Sequence, residues 1–217
     1  MLDPLHRHIL FTQEHLAARL DRASAMLHPP GEPRKAAEHI DTLLADTAKH
    51  LAAVDAVLLP AVRRAQQDGS RVVHDYLHTA RDLELALAHV KARECGSVYD
   101  VGRSWRAVWA DVAAAMRRQQ EAERALADRL ATRLDPMALT ALADHLHAAA
   151  VTAPSRPHPY APHTGLPGSV ARRLLHLVDS FWDTTEGRMV PDPVRPPHGP
   201  PGRLTQYLLA DPRFDEE

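Results

Sequence analysis

Proline is the residue that helices tolerate least, and this chain segregates it. Twelve of its 18 prolines lie between Pro154 and Pro212. A ring that fixes φ and removes the N–H donor keeps that region from forming long helix or central strand. Residues 1–150 are the reverse. Pro4 and Pro136 sit where a first helical turn accepts them, and otherwise prolines occur only in His28-Pro-Pro-Gly-Glu-Pro33 and at Pro60. The 5% aromatic content and 9 glycines argue against an all-β fold, and the 45% hydrophobic content suffices for a packed core. The division is therefore a helical domain over 1–150 and a Pro-rich C-terminal arm over 151–217.

Apolar periodicity predicts four long helices in the first part. The first runs from Pro4 to Leu27, with Leu5, Ile9, Leu16, Leu20 and Leu27 in one stripe. The second runs from Arg34 to Gln67, with a kink or end expected near Pro60. Asp68-Gly-Ser70 stops it and offers Ser70 as the next N-cap. The third covers Arg71–Arg93, with Val73, Leu77, Leu83, Leu87 and Val90 apolar, and Cys95-Gly-Ser97 breaks it. The fourth runs from Val101 to Leu134 around Trp105, Val108, Trp109, Val112, Met116, Leu126 and Leu130. Asp135-Pro136 opens a further helix to about Ala150. Short connections between long helices predict an all-α, antiparallel up-down four-helix bundle with one extra helix. In the arm, Ser169–Asp183 is an amphipathic helix candidate, with Val170, Leu174, Leu175, Val178, Phe181 and Trp182 on one side.

One stretch inside the second helix needs a chemical explanation. His50-Leu-Ala-Ala-Val-Asp-Ala-Val-Leu-Leu-Pro60 places a histidine within an apolar run, and buried ring nitrogens need partners. The stretch resembles the pattern H-x-x-x-E-E-x-x-L-F-P of hemerythrin-like (HHE cation-binding) domains. Thr152-Ala-Pro-Ser-Arg-Pro-His-Pro159 resembles a segment that follows the bundle in bacterial members, and Val178-Asp179 to Gly187-Arg188 resembles their V-D-x-x-x-D-x-x-x-G-R. The resemblance thus covers the chain to about Arg188. It implies a bundle of two similar helical hairpins whose four helices ligate two irons.

Carried over residue by residue, the resemblance implies His15, His50 and His78 as metal ligands from the first three helices, with Asp82 and Glu123 as further candidates. His6 and His8 are second choices on the first helix. The family's Glu after His50 falls on Val54, while Asp55 is turned about 100° away. Counting back from Leu126 and from Leu134-Asp135-Pro136 puts the family's fourth-helix His and Glu on Arg118 and Ala122. A slip of one residue gives Gln119 and Glu123 instead. The downstream frame favours Arg118 and Ala122, so Val54, Arg118 and Ala122 are site-altering. Asp82, four residues after His78, is the expected partner for Arg118.

Three readings stay open. The di-iron centre is lost and the bundle persists as a non-catalytic binding, sensory or regulatory module, with no cofactor. Alternatively, the histidines hold one divalent ion, aided by Asp82, Glu14 or water. Or a di-iron site survives through Glu123 and handles oxygen, peroxide or nitric oxide. The first leads. A compatible reading makes the chain an adaptor whose arm docks a protein partner through Leu204, Tyr207, Leu208 and Phe214.

Other classes are disfavoured. A net charge of −2 carries no nucleic-acid footprint. A single cysteine, Cys95, excludes an internal disulfide and fits a reducing compartment. The N-terminus lacks a signal peptide's apolar centre, and no apolar run reaches membrane-spanning length. A cytoplasmic protein is expected. No nucleophile-and-base spacing, Gly-rich phosphate loop or zinc-finger spacing occurs.

Overall fold

The computed structural model describes residues 2–26, 33–94 and 103–153. Among them the chain forms five helices and no strand: α1 (Pro4–Ala25), α2 (Pro33–Ala65), α3 (Gly69–Glu94), α4 (Trp105–Ala131) and α5 (Pro136–Val151). No helix among the described residues is long and apolar enough to cross a membrane. The arm from Pro154 onward lies outside the described residues, and with it Leu204, Tyr207, Leu208, Phe214 and the 169–183 segment.

The helix starts follow capping chemistry. Asp3, Ser104 and Asp135 each accept a backbone N–H three residues ahead, from His6, Ala107 and Ala138. Two expectations need correction. Ser70 is not the cap of α3: Asp68 is, its carbonyl taking the N–H groups of Arg71 and Val72. Of the kink or end expected near Pro60 the end is excluded, since α2 continues to Ala65. An interior proline costs about 3 kcal/mol, but Leu58, Leu59, Ala61 and Val62 are all buried. Burying such side chains is worth about 1.5–3 kcal/mol for each large one, which outweighs the proline. Gly69 is required where it stands. A Cβ there would lie 2.6 Å from the Val62 carbonyl oxygen, so the close approach of α3 to the end of α2 depends on its absence.

The described members of the stripes predicted for α1, α3 and α4 turn inward and meet α2 in one core that includes Leu5, Ile9, Leu43, Leu58, Leu83, Leu87, Leu126 and Leu130. α1 packs on α2 and α4, and α3 packs on the same two helices. α5 lies against α2 and α1, burying Leu139, Ala143 and Leu146. Polar pairs tie the ends. Lys91 near the end of α3 reaches Asp41 in α2 at 2.7 Å. His6 at the start of α1 reaches Asp128 near the end of α4 at 2.9 Å. Arg129 of α4 donates to Gln66 in the α2–α3 turn at 2.9 Å, and Trp105 and Trp109 stack at the start of α4 under the Arg93 guanidinium.

Candidate functional site

Midway along the bundle the apolar stripes are interrupted at one level. Helical spacing of four puts Gln119 and Glu123 on one face of α4, and both point inward, 2% and 0% exposed. His50 of α2 is 4% exposed, Gln13 of α1 5% and Tyr76 of α3 1%. Four helices therefore deliver these five polar side chains to one level. Thr47 and Asp55 of α2 and Glu84 of α3 are buried as well, so Asp55 is not turned out to solvent.

Their hydrogen bonds converge on one oxygen of the Glu123 carboxylate. Oε2 receives His50 Nε2 at 3.0 Å, Gln13 Nε2 at 3.2 Å and Gln119 Nε2 at 3.3 Å. Gln119 also donates to the Tyr76 hydroxyl at 2.9 Å. Gln13 Nε2 donates to the Gln120 carbonyl at 3.2 Å, and Gln120 Nε2 returns a bond to the Gln13 carbonyl at 3.4 Å. Glu123 Oε1 lies 2.9 Å from His50 Nε2, but the ring N–H is aimed at Oε2. Oε1 has no hydrogen-bond partner, and neither has the buried Thr47 hydroxyl on α2.

Electrostatics follow from this placement. Burial pushes the His50 imidazole down, yet the charge and hydrogen bond of Glu123 more than offset it and hold His50 above the usual range. Burial and the nearby Glu123 and Asp55 carboxylates push the Tyr76 phenol well up, with the Gln119 bond acting the other way. At the edge of the layer His8 of α1 meets His147 of α5 edge to face, ring centroids 6.2 Å apart. Burial, with His50 and His147 nearby, holds His8 below its usual value, against the pull of Glu123 and Asp144.

The expected ligands are distributed differently. Of His15, His50 and His78, only His50 enters the core. His15 is half exposed, with Nε2 3.4 Å from Asp46 and 3.3 Å from Arg19 Nε. His78 is 76% exposed, 3.8 Å from Asp82. Arg118 does approach Asp82, at 3.9 Å, but on the surface and away from the buried layer. Ala122 packs at the margin of the core and Val54 within it. The fourth-helix register is thus corrected by one residue: Gln119 and Glu123, not Arg118 and Ala122, face inward. The buried positions 112, 116, 119, 123, 126 and 130 alternate steps of four and three, the period of an inward stripe. That stripe was readable in the sequence, and the same test finds Gln13 between Ile9 and Leu16 and Tyr76 between Val73 and Ala80.

This donor set does not fit a metal centre. Of the five only His50 and Glu123 are strong ligands for first-row metals, and they bind each other; the buried carboxylates Asp55 and Glu84 act on the layer through Tyr76. Among the described residues no three or more His, Cys, Asp or Glu side chains are arranged to hold a metal ion, and three protein ligands are the usual minimum. The amides and the phenol complete the layer with weak ligands. What the arrangement can do is hold a charge pair across α2 and α4, with α1 and α3 attached through hydrogen bonds from side-chain amides. Comparison with protein-family models, with curated proteins and with solved structures finds no match for the chain.

Proposed function

We propose that the protein is a non-catalytic binding, sensory or regulatory module built on a hemerythrin-like, up-and-down four-helix frame. In this reading the level where such a frame would hold metal is closed by the protein's own side chains. One observation carries it: the fully buried Glu123 carboxylate is gripped by donors from α1, α2 and α4. The up-and-down order is supported by residue pairs that run in opposite senses. Gln13 meets Gln120 while His6 meets Asp128, and Tyr76 meets Gln119 while Asp82 meets Arg118.

The test is metal content. The protein is purified after growth with added iron, beside a His50→Ala control, and bound metals are counted by mass spectrometry. Its melting temperature is then read with and without added ferrous or zinc ion. The expected result is no stoichiometric metal and no shift in melting, since a ligand that binds only the folded state must raise its stability. About two irons per chain, lost in the control, would restore the di-iron reading. About one divalent ion, lost in the control, would overturn the proposal in favour of the single-ion reading with His50 among its ligands.

A further inference from the structure

The large exposed apolar side chains among the described residues lie on, or just before, two helices. Leu2, Phe11, Met137 and Val151 are 52%, 73%, 84% and 67% exposed, and all belong to α1, to α5 or to the residues just before α1. The arrangement makes two of them neighbours. His6 at the start of α1 touches Asp128 near the end of α4, and only residues 132–135 separate α4 from α5. α5 therefore starts at the end of the bundle where α1 starts and runs the same way, offset along the axis, since His8 is four residues into α1 and His147 eleven into α5. The two helices meet at His8 and His147. Phe11 is three residues after His8 and Val151 four after His147, so both stand about one turn beyond that contact. At 100° per residue they lie about 60° and 40° outside the two histidines, on the two banks of the seam.

We propose that the seam between α1 and α5 is the docking surface for the chain's own Ser169–Asp183 segment. The segment carries Val170, Leu174, Leu175, Val178, Phe181 and Trp182 at helical spacing, an apolar face that water disfavours and that some surface must cover. The chain leaves α5 at Ala153, two residues past Val151. Residues 154–168 then form the tether. Fifteen residues of Pro-rich chain at about 3.1 Å each span about 46 Å, whereas the 16-residue α5 is about 24 Å long. The tether therefore reaches any point of the seam. A helix over 169–183 would be about 22 Å long, close to the about 24 Å of α5 itself. Tethering also gives this segment an effective concentration in about the millimolar range, which a free partner would have to outcompete. Charge agrees: Arg172 and Arg173 immediately precede Leu174, while the exposed acids Glu14 and Asp144 stand three residues from Phe11 and His147.

The experiment uses the full chain with p-benzoylphenylalanine in place of Phe11, and in a second variant in place of Val151. Dilute protein is irradiated, and cross-linked peptides are mapped in the monomer and dimer bands. The expected product joins either position to the 169–183 peptide within one chain. Leu174→Asp with Leu175→Asp lowers its yield more than about tenfold, because two buried leucines supply much of the face. Arm cross-links found only between isotopically distinguishable chains would give the seam to a second copy and overturn the proposal. Cross-links confined to the bundle, or to residues 189–217, would overturn it too. Unchanged helicity of each variant by circular dichroism shows that the bundle itself is intact.

Discussion

The centre of the bundle and the outer seam between α1 and α5 break the same rule in opposite directions. At the centre, Gln13, His50, Tyr76, Gln119 and Glu123 put polar groups where the core is otherwise apolar. At the seam, Phe11 and Val151 put apolar groups in water. The costs differ in kind. A buried charge is tolerable only while its partners stay, so each member of the central layer depends on the others. An exposed phenylalanine costs the folded bundle little, and its position matters only for what covers it. Closure inside and openness outside are what the docking proposal rests on.

The sharpest break of that contrast is His50→Ala. It leaves Glu123 buried at 0% exposure with its charged partner gone, and breaking a buried pair costs about 3–5 kcal/mol. Urea unfolding should show that loss as a lower midpoint, whereas Phe11→Ala should leave the midpoint within about 0.5 kcal/mol of the parent. Equal effects at the two sites would erase the distinction.

A second substitution sharpens it. Replacing both His50 and Glu123 by leucine removes the charge together with its partner. Such double replacements are neutral or stabilising by about 1–4 kcal/mol where packing permits, so the pair should recover most of what His50→Ala loses. Strict additivity of the His50→Leu and Glu123→Leu losses would show that the two side chains are not coupled.

Protons report the same contrast on a smaller scale. His50 is held above its ordinary value and His8 below it. A raised histidine contributes stability that is full below the unfolded value of 6.5 and is lost as pH rises through the folded one. A lowered histidine contributes stability that is full above 6.5 and is lost as pH falls through the folded one. Ring-proton titration by NMR should therefore give midpoints on either side of 6.5. Two midpoints on one side would mean that Glu123 does not hold His50, or that His147 and burial do not act on His8.

The helices were legible because their period is carried by many residues. Leu5, Ile9, Leu16 and Leu20 can mark a face even when a boundary is misplaced, and packing carries α2 past Pro60 where local rules would stop it. The site was less legible because histidine identity drew attention before position did. His15 and His78 lie two residues from the buried Gln13 and Tyr76. Two residues on a helix turn a side chain by about 200°, from core to solvent. On α4, one residue separated Arg118 and Ala122 from the inward pair. A rule of position would have served better: follow each apolar stripe and note the polar residue that interrupts it. That rule finds Gln13, Tyr76, Gln119 and Glu123, and it rests on the need of buried polar groups for partners. The His8–His147 contact was beyond it, since it depends on where α5 docks.

The smallest expected effect tests that rule directly. His15→Ala removes a half-exposed ring beside Asp46, which keeps Arg19 at 3.2 Å. His78→Ala removes a ring 76% exposed whose neighbour Asp82 also has Arg118 at 3.9 Å. Exposed ion pairs with a remaining partner are worth about 0–1 kcal/mol, and surface changes usually stay within about 0.5. Each variant should therefore unfold in urea almost with the parent, and the two together should add. A loss from either one that approached that of His50→Ala would mean that the ring turns inward to join the central layer. The contrast between closed centre and open surface would then fail where the histidines were expected to converge. Equivalence of the three histidines is what a shared ligand role requires, and separation of His50 from the other two is what their burial requires.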